Sequence, residues 1–193
     1  YSPSGLINKN LESKIINKII TPTLKAINDL GEKYKGFLYA GLMIMKNEPY
    51  LIEYNVRMGD PECQTILPTL DTDIVDIFEY CINEKLNELE IQWTNKKSLC
   101  VVLCSNGYPE KYEKNILINN FEKLILNEDN HLFHAGTQKR NNKIYAIGGR
   151  VLNFVSISDS YEKARKNIHN NLVKLDWDKG FYRKDIAHKV IKK

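Results

Sequence analysis

Between Leu51 and Glu62 a carboxylate, a carboxamide and a guanidinium recur at every second position: Glu53, Asn55 and Arg57 stand among Ile52, Tyr54 and Val56. In a strand, successive side chains point to opposite faces, so Leu51, Glu53, Asn55 and Arg57 share one face and Tyr50, Ile52, Tyr54 and Val56 the other. Residues two apart lie roughly 6.6 Å from Cα to Cα, close enough for the oxygens of Glu53 and Asn55 to converge on one ion. Hard oxygen ligands suit Mg²⁺, which keeps several waters and completes its shell with substrate phosphates. Arg57 would meet the same phosphates, or a substrate carboxylate, through its planar fork. Two plainer roles compete: the run as the wet face of an edge strand, and Arg57 as a salt-bridge partner of Asp60 or Glu62. The following Gly59-Asp60-Pro61-Glu62 tips the balance toward a site, because Gly permits close backbone approach and Pro opens the next helix.

The elements that must carry this run read as follows. Residues 11–30 suit a helix, with Leu11, Ile15, Ile16, Ile19 and Ile20 on its apolar side; Pro22 should kink or restart it and Gly31 should cap it. Residues 37–45 are apolar on both faces and predict a central strand, which Lys46-Asn47-Glu48-Pro49 turns into an antiparallel return over 50–56. Met43 or Leu42 is a conceivable adenine contact, with plain core packing the competing role. Residues 61–70 and 72–86 read as two helices, and 88–97 as a polar link to a second unit.

That second unit shows strands at 99–104, 143–147 and 150–156, with turns at Gly107-Tyr108-Pro109, Asn141-Asn142 and Gly148-Gly149. Residues 159–175 predict a helix capped by Asp159 or Ser160, whose stripe is Ala164, Ile168, Leu172 and Leu175. Residues 181–191 read as a short basic closing helix.

The 193 residues suffice for a real core, as one domain with an appendage or as two small ones. No apolar run reaches a membrane span and no signal-peptide pattern opens the chain, which points to a cytoplasmic protein; an absent amino terminus would hide a targeting signal. The formal charge of +4 is scattered, without the basic stripe that nucleic acids require. Cys63, Cys81, Cys100 and Cys104 do not have zinc-cluster spacing and read as free thiols, Cys100 and Cys104 on one face of a buried strand. His131 and His134 lack a partner at metal spacing, and His134 reads as fixing a turn.

The run from Lys35-Gly36-Phe37 through Glu53-Tyr54-Asn55-Val56-Arg57-Met58-Gly59-Asp60-Pro61-Glu62 to Leu67-Pro68 resembles the glycinamide ribonucleotide synthetase (phosphoribosylamine-glycine ligase) family of ATP-grasp enzymes. The likeness continues in order through Gly107-Tyr108-Pro109, His134-Ala135-Gly136-Thr137, Gly148-Gly149-Arg150-Val151-Leu152 and Phe181-Tyr182-Arg183-Lys184-Asp185-Ile186. It implies an α+β chain: the carboxy-terminal part of an ATP-grasp fold over 1–94, an antiparallel sheet with helices, then a small, mixed, β-rich carboxy-terminal domain over 95–193. It further implies a parent enzyme roughly twice this length or more, with the amino-terminal part of the same enzyme as the missing partner.

The implied reaction joins glycine to 5-phosphoribosylamine at the expense of ATP, in purine biosynthesis. Glu53 and Asn55 would hold Mg²⁺ or Mn²⁺. Arg57 would act as the catalytic residue and, with Gly59, bind the glycine carboxylate or the transferring phosphoryl. Asp60 would orient substrate. Many ATP-grasp enzymes carry a further acidic ligand on the preceding strand, where this chain has Gly41 and Met43. Another ATP-grasp carboxylate-amine ligase, or a non-catalytic remnant serving as a binding module, are the alternative readings. No nucleic acid and no membrane partner is expected, and the piece alone is expected to be inactive.

Overall fold

The computed structural model describes residues 1–191. In chain order its helices are α1 (Lys9–Ile15), a π-helical turn (Ile16–Ile20), α2 (Thr21–Asp29), α3 (Glu62–Ile66), α4 (Ile74–Ile82) and α5 (Tyr161–Leu172). The strands are β1 (Tyr39–Met45), β2 (Glu48–Asn55), β3 (Lys97–Ser105), β4 (Ile116–Ile118), β5 (Asn130–His134), β6 (Thr137–Arg140), β7 (Lys143–Ala146), β8 (Arg150–Ser158) and β9 (Gly180–Tyr182). Among the described residues no helix is long and apolar enough to cross a membrane. The chain divides into two compact units, one of residues 4–60 and 70–93, the other of 1–3, 61–69 and 94–193.

In the first unit, β1 and β2 form an antiparallel pair. Lys46 and Asn47 both adopt positive φ, 50° and 63°, the tight two-residue turn whose twist matches a hairpin. An isolated two-stranded hairpin is marginal in water, and here α1 packs on β2. Asn8 caps α1 by accepting from the Leu11 N–H, and Leu11, Ile15 and Ile19 are buried. The helix does not break at Pro22, as Pro would in a regular interior. Its turn widens into a π-helix just before it, and Pro22 falls in the first turn of α2, where a missing N–H costs least. Gly31 ends the run at φ 92°, its N–H on the Asn28 carbonyl.

Two expectations for this hairpin need correction. The strand at 39–45 is not a central one, since its sheet has two strands and Met43, Ile44 and Met45 are exposed. The pairing also slips: Gly41 faces Glu53 but Leu42 faces Leu51, so Ile52 is an extra residue. Such a bulge interrupts alternation, and Leu51 does not continue the face of Glu53 and Asn55.

In the second unit a four-stranded antiparallel sheet has the order β5-β8-β3-β9, and a three-stranded one the order β4-β7-β6. Ser160 caps α5 by accepting from the Lys163 N–H, and the helix lays Ala164, Ile168 and Leu172 on β3 and β8. Leu99, Val101, Leu103, Leu152 and Phe154 meet them in a core closed by Ile118 and Ala146. Helix α3 also packs against β3, and the predicted helix over 61–70 is five residues of α-helix followed by a 3₁₀ turn. The closing helix over 181–191 is overturned. Residues 180–182 are a strand, with Phe181 opposite Cys104 and Tyr182 opposite Leu103, and turns follow. The four thiols are free, Cys100 and Cys104 buried, and burial pushes the Cys104 thiol up from its ordinary value.

Candidate functional site

Strand β2 ends at Asn55, so Glu53 and Asn55 occupy its last two same-face positions and Arg57 lies beyond it in a bend. The strand pattern therefore places Glu53 beside Asn55 but does not fix the direction of Arg57. The Asn55 Nδ2 donates to Glu53 Oε1 at 3.1 Å, which puts the two polar ends in contact. Glu53 is exposed and Asn55 half-buried. A carboxylate and an amide in contact at a strand end are a donor set that fits a hard divalent cation whose other ligands come from a ligand or water. For ligation the amide would turn over to offer Oδ1, and which way it points is assigned from the hydrogen-bond network. Among the described residues no group of three or more His, Cys, Asp or Glu could enclose a metal.

Opposite Glu53 stands Gly41, where a Cβ would lie 3.1 Å from the Glu53 Cγ. A side chain there would press on the Glu53 stem and shift it by a few tenths of an ångström. Arg57 donates to the Met58 carbonyl at 3.1 Å and keeps its guanidinium exposed. Gly59 is buried and Asp60 exposed, five and seven residues on from Tyr54 and Glu53 in the same unit.

Tyr54, on the strand face away from Glu53 and Asn55, was not singled out by the sequence. Its hydroxyl is 2.6 Å from Thr23 Oγ1 and donates to the Ile19 carbonyl at 3.2 Å, while Thr23 also bonds that carbonyl at 2.8 Å. The carbonyl belongs to the π-helical turn, which frees backbone acceptors from the regular ladder, so the widened helix grips the strand between Glu53 and Asn55. A Tyr between the two polar residues, and a Thr just after Pro22, were the only signals. At the hairpin's other end Glu48 takes Lys14 and Lys18 from successive turns of the helix. The Lys14 and then Lys18 hydrogen bonds lower its carboxyl to about 2.

The same fold appears in known proteins. Residues 1–63 match the family model for the phosphoribosylglycinamide synthetase ATP-grasp (A) domain, and residues 98–189 the model for its C domain. The architecture is thus that of an ATP-grasp fragment followed by a C domain. A phosphoribosylamine-glycine ligase of Fusobacterium nucleatum is 42% identical over 187 residues, covering 96% of this chain and 44% of that protein. One from Brucella melitensis is 34% identical over 193 residues, covering 100% of this chain and 45% of its own length. The crystal structure of the Thermotoga maritima phosphoribosylamine-glycine ligase superposes with a TM-score of 0.78 at 30% identity, covering 94% of this chain and 44% of that one. The chain belongs to the phosphoribosylglycinamide synthetase family. It spans less than half the length of these relatives.

Proposed function

We propose that this chain supplies the carboxy-terminal share of an ATP-dependent carboxylate-amine ligase that joins glycine to 5-phosphoribosylamine, giving glycinamide ribonucleotide, ADP and phosphate. The observation that supports it most is the Glu53–Asn55 contact on a hairpin that matches the ATP-grasp model of this family. A carboxylate does not condense with an amine in water at useful rates. In the proposed reaction a glycine carboxylate oxygen attacks the γ-phosphorus of ATP and ADP leaves; the phosphoribosylamine nitrogen then attacks the acyl carbon of glycyl phosphate and expels phosphate. Neither step needs a protein nucleophile, so the protein's work is positioning and charge stabilisation.

Glu53 and Asn55 would hold Mg²⁺ or Mn²⁺, which when bound draws charge from the ATP phosphates. Arg57 lies past the strand end with an exposed fork, suited to the glycine carboxylate or the transferring phosphoryl. The Gly59 backbone and Asp60 would fix the substrate beside it. The division into an ATP-grasp part over 1–94 and a carboxy-terminal domain over 95–193, the dependence on an amino-terminal half, and a cytoplasmic setting belong to the same proposal.

The test is made in the polypeptide completed by an ATP-grasp first half. ADP release should require both glycine and 5-phosphoribosylamine, and other amino acids should not replace glycine. ADP release with a different carboxylate would favour another ligase, and none with any would favour a non-catalytic module. In the same enzyme Arg57→Lys keeps the charge but loses the fork, so glycine-dependent kcat/KM should fall at least tenfold at unchanged melting temperature. A lowered melting temperature with intact kinetics would make Arg57 a salt-bridge residue instead.

A further inference from the structure

The carboxy-terminal unit holds a cavity of about 260 Å³ that the proposed chemistry does not use. Its mouth carries Arg165 and His169 from α5, Tyr182 from β9, and Arg183 and Lys184 from the turn after it. Its floor is apolar, with Val101 of β3, Ile168 of α5 and Ile186. No carboxylate lines it. Among the cations, Arg183 is already clamped by Asp185, through Nε at 3.0 Å and a second nitrogen at 2.7 Å. Arg165 spends one N–H on the Lys184 carbonyl, and among the described residues neither Arg165 nor Lys184 has a carboxylate partner. His169 Nδ1 lies 3.2 Å from the Tyr182 hydroxyl, which holds the ring at the rim.

Asp185 answers Arg183 alone, and two further cations that no carboxylate of the described residues meets, Arg165 and Lys184, are a cost to the fold unless something negative meets them, since like charges repel and guanidinium donors seek oxygens. The apolar floor narrows the chemistry further, because a bare inorganic anion would leave it unused. We propose that this cavity binds a small phosphate monoester, with the phosphate oxygens on Arg165, Lys184 and His169 and a short organic body on Val101, Ile168 and Ile186. Its volume is below the ~300–1,000 Å³ of drug-sized pockets, which limits the ligand to a few heavy atoms beyond the phosphate. None of these residues belongs to the hairpin, so the proposal stands or falls apart from the ligase reading.

The test is a nuclear magnetic resonance titration of the 193-residue chain with ethyl phosphate and with inorganic phosphate, at constant ionic strength. Saturable shifts centred on the Arg165, His169 and Lys184 amides are expected, with a millimolar Kd at least threefold lower for ethyl phosphate. Lys184→Gln and Arg165→Gln should each raise that Kd at least tenfold; Lys184 is exposed, so its variant keeps the spectrum of the remaining core as a check on folding. Shifts linear in concentration, shifts spread over lysines elsewhere, or an unchanged Kd in Lys184→Gln would overturn the site. Equal affinity for the two probes would overturn the role of the apolar floor.

Discussion

The two units use apolar residues in opposite ways. In the carboxy-terminal unit β8 is buried from Val151 to Ser158, and Leu99, Leu152, Phe154 and Ala164 have no measurable exposure. In the hairpin unit Met43, Tyr50, Ile52 and Val56 are 51%, 50%, 64% and 72% exposed, and the buried apolar residues are confined to the helix at Leu11, Ile15 and Ile19. A sheet sandwiched between a long helix and further elements closes on itself; a two-stranded hairpin under one helix cannot cover both of its faces. Sequence pattern thus reports potential burial. The apolar run over 37–45 and the alternation over 50–56 are real, but nothing within their unit covers much of them, whereas the pattern over 150–158 is met on both faces.

The contrast yields predictions of decreasing size. Phe154→Ala should be the most damaging, by about 3–5 kcal/mol, because it opens a cavity in a close-packed core; a thermal melt of the chain measures it, and a loss under 1 kcal/mol would mean that the core is loosely packed. Asn171→Ala should cost less, about 1–3 kcal/mol. Its buried Oδ1 accepts from the Ile125 N–H at 2.6 Å while its Nδ2 donates to the Asn167 carbonyl, and the substitution orphans the first of these groups. Denaturant unfolding with an unchanged m-value is the check.

The hairpin unit adds ion pairs that are half-exposed and that salt screens. Glu48, ordinarily near 4.5, is lowered to about 2 by Lys14 and Lys18. A depressed carboxyl contributes stability that is present above its unfolded value and lost as the pH falls through its folded one. Glu48→Gln should therefore lower the hairpin's stability slightly at pH 7 and less at pH 2, with the two melting profiles converging as the pH falls from 4.5 through 2. Parallel profiles through that window would contradict the pairing.

Legibility cut across that divide, since both hairpin strands were legible and every strand that was not lies in the carboxy-terminal unit. Helix α5 was plain from its four-residue apolar stripe and its Ser160 cap, and β3, β7 and β8 from their apolar segments bounded by turn residues, because each of these segments buries the face its own pattern marks. Strands β4, β5, β6 and β9 were not read: they are three to five residues long, and Tyr182 is in a strand only because Leu103 pairs with it. Pairing with a distant partner leaves no periodicity in three residues. The bulge at Ile52 was equally hidden, since it lies in the register of two strands. In the candidate site the polar pair Glu53 and Asn55 was legible from spacing, while the Tyr54 anchor on the π-helical turn required the backbone of a segment more than thirty residues earlier.

The proposal that Glu53 and Asn55 form the metal-facing edge of a ligase site is tested most directly by Glu53→Gln in the completed enzyme. The side chain is exposed and its amide replacement keeps the shape, so the melting temperature should stay within about 1 °C, in line with the small effects of surface substitutions. At saturating MgATP and glycine, kcat should fall at least a hundredfold, and raising Mg²⁺ should recover part of it. Turnover within twofold of the parent enzyme would contradict the claim and return the Glu-x-Asn pair to the wet face of a strand.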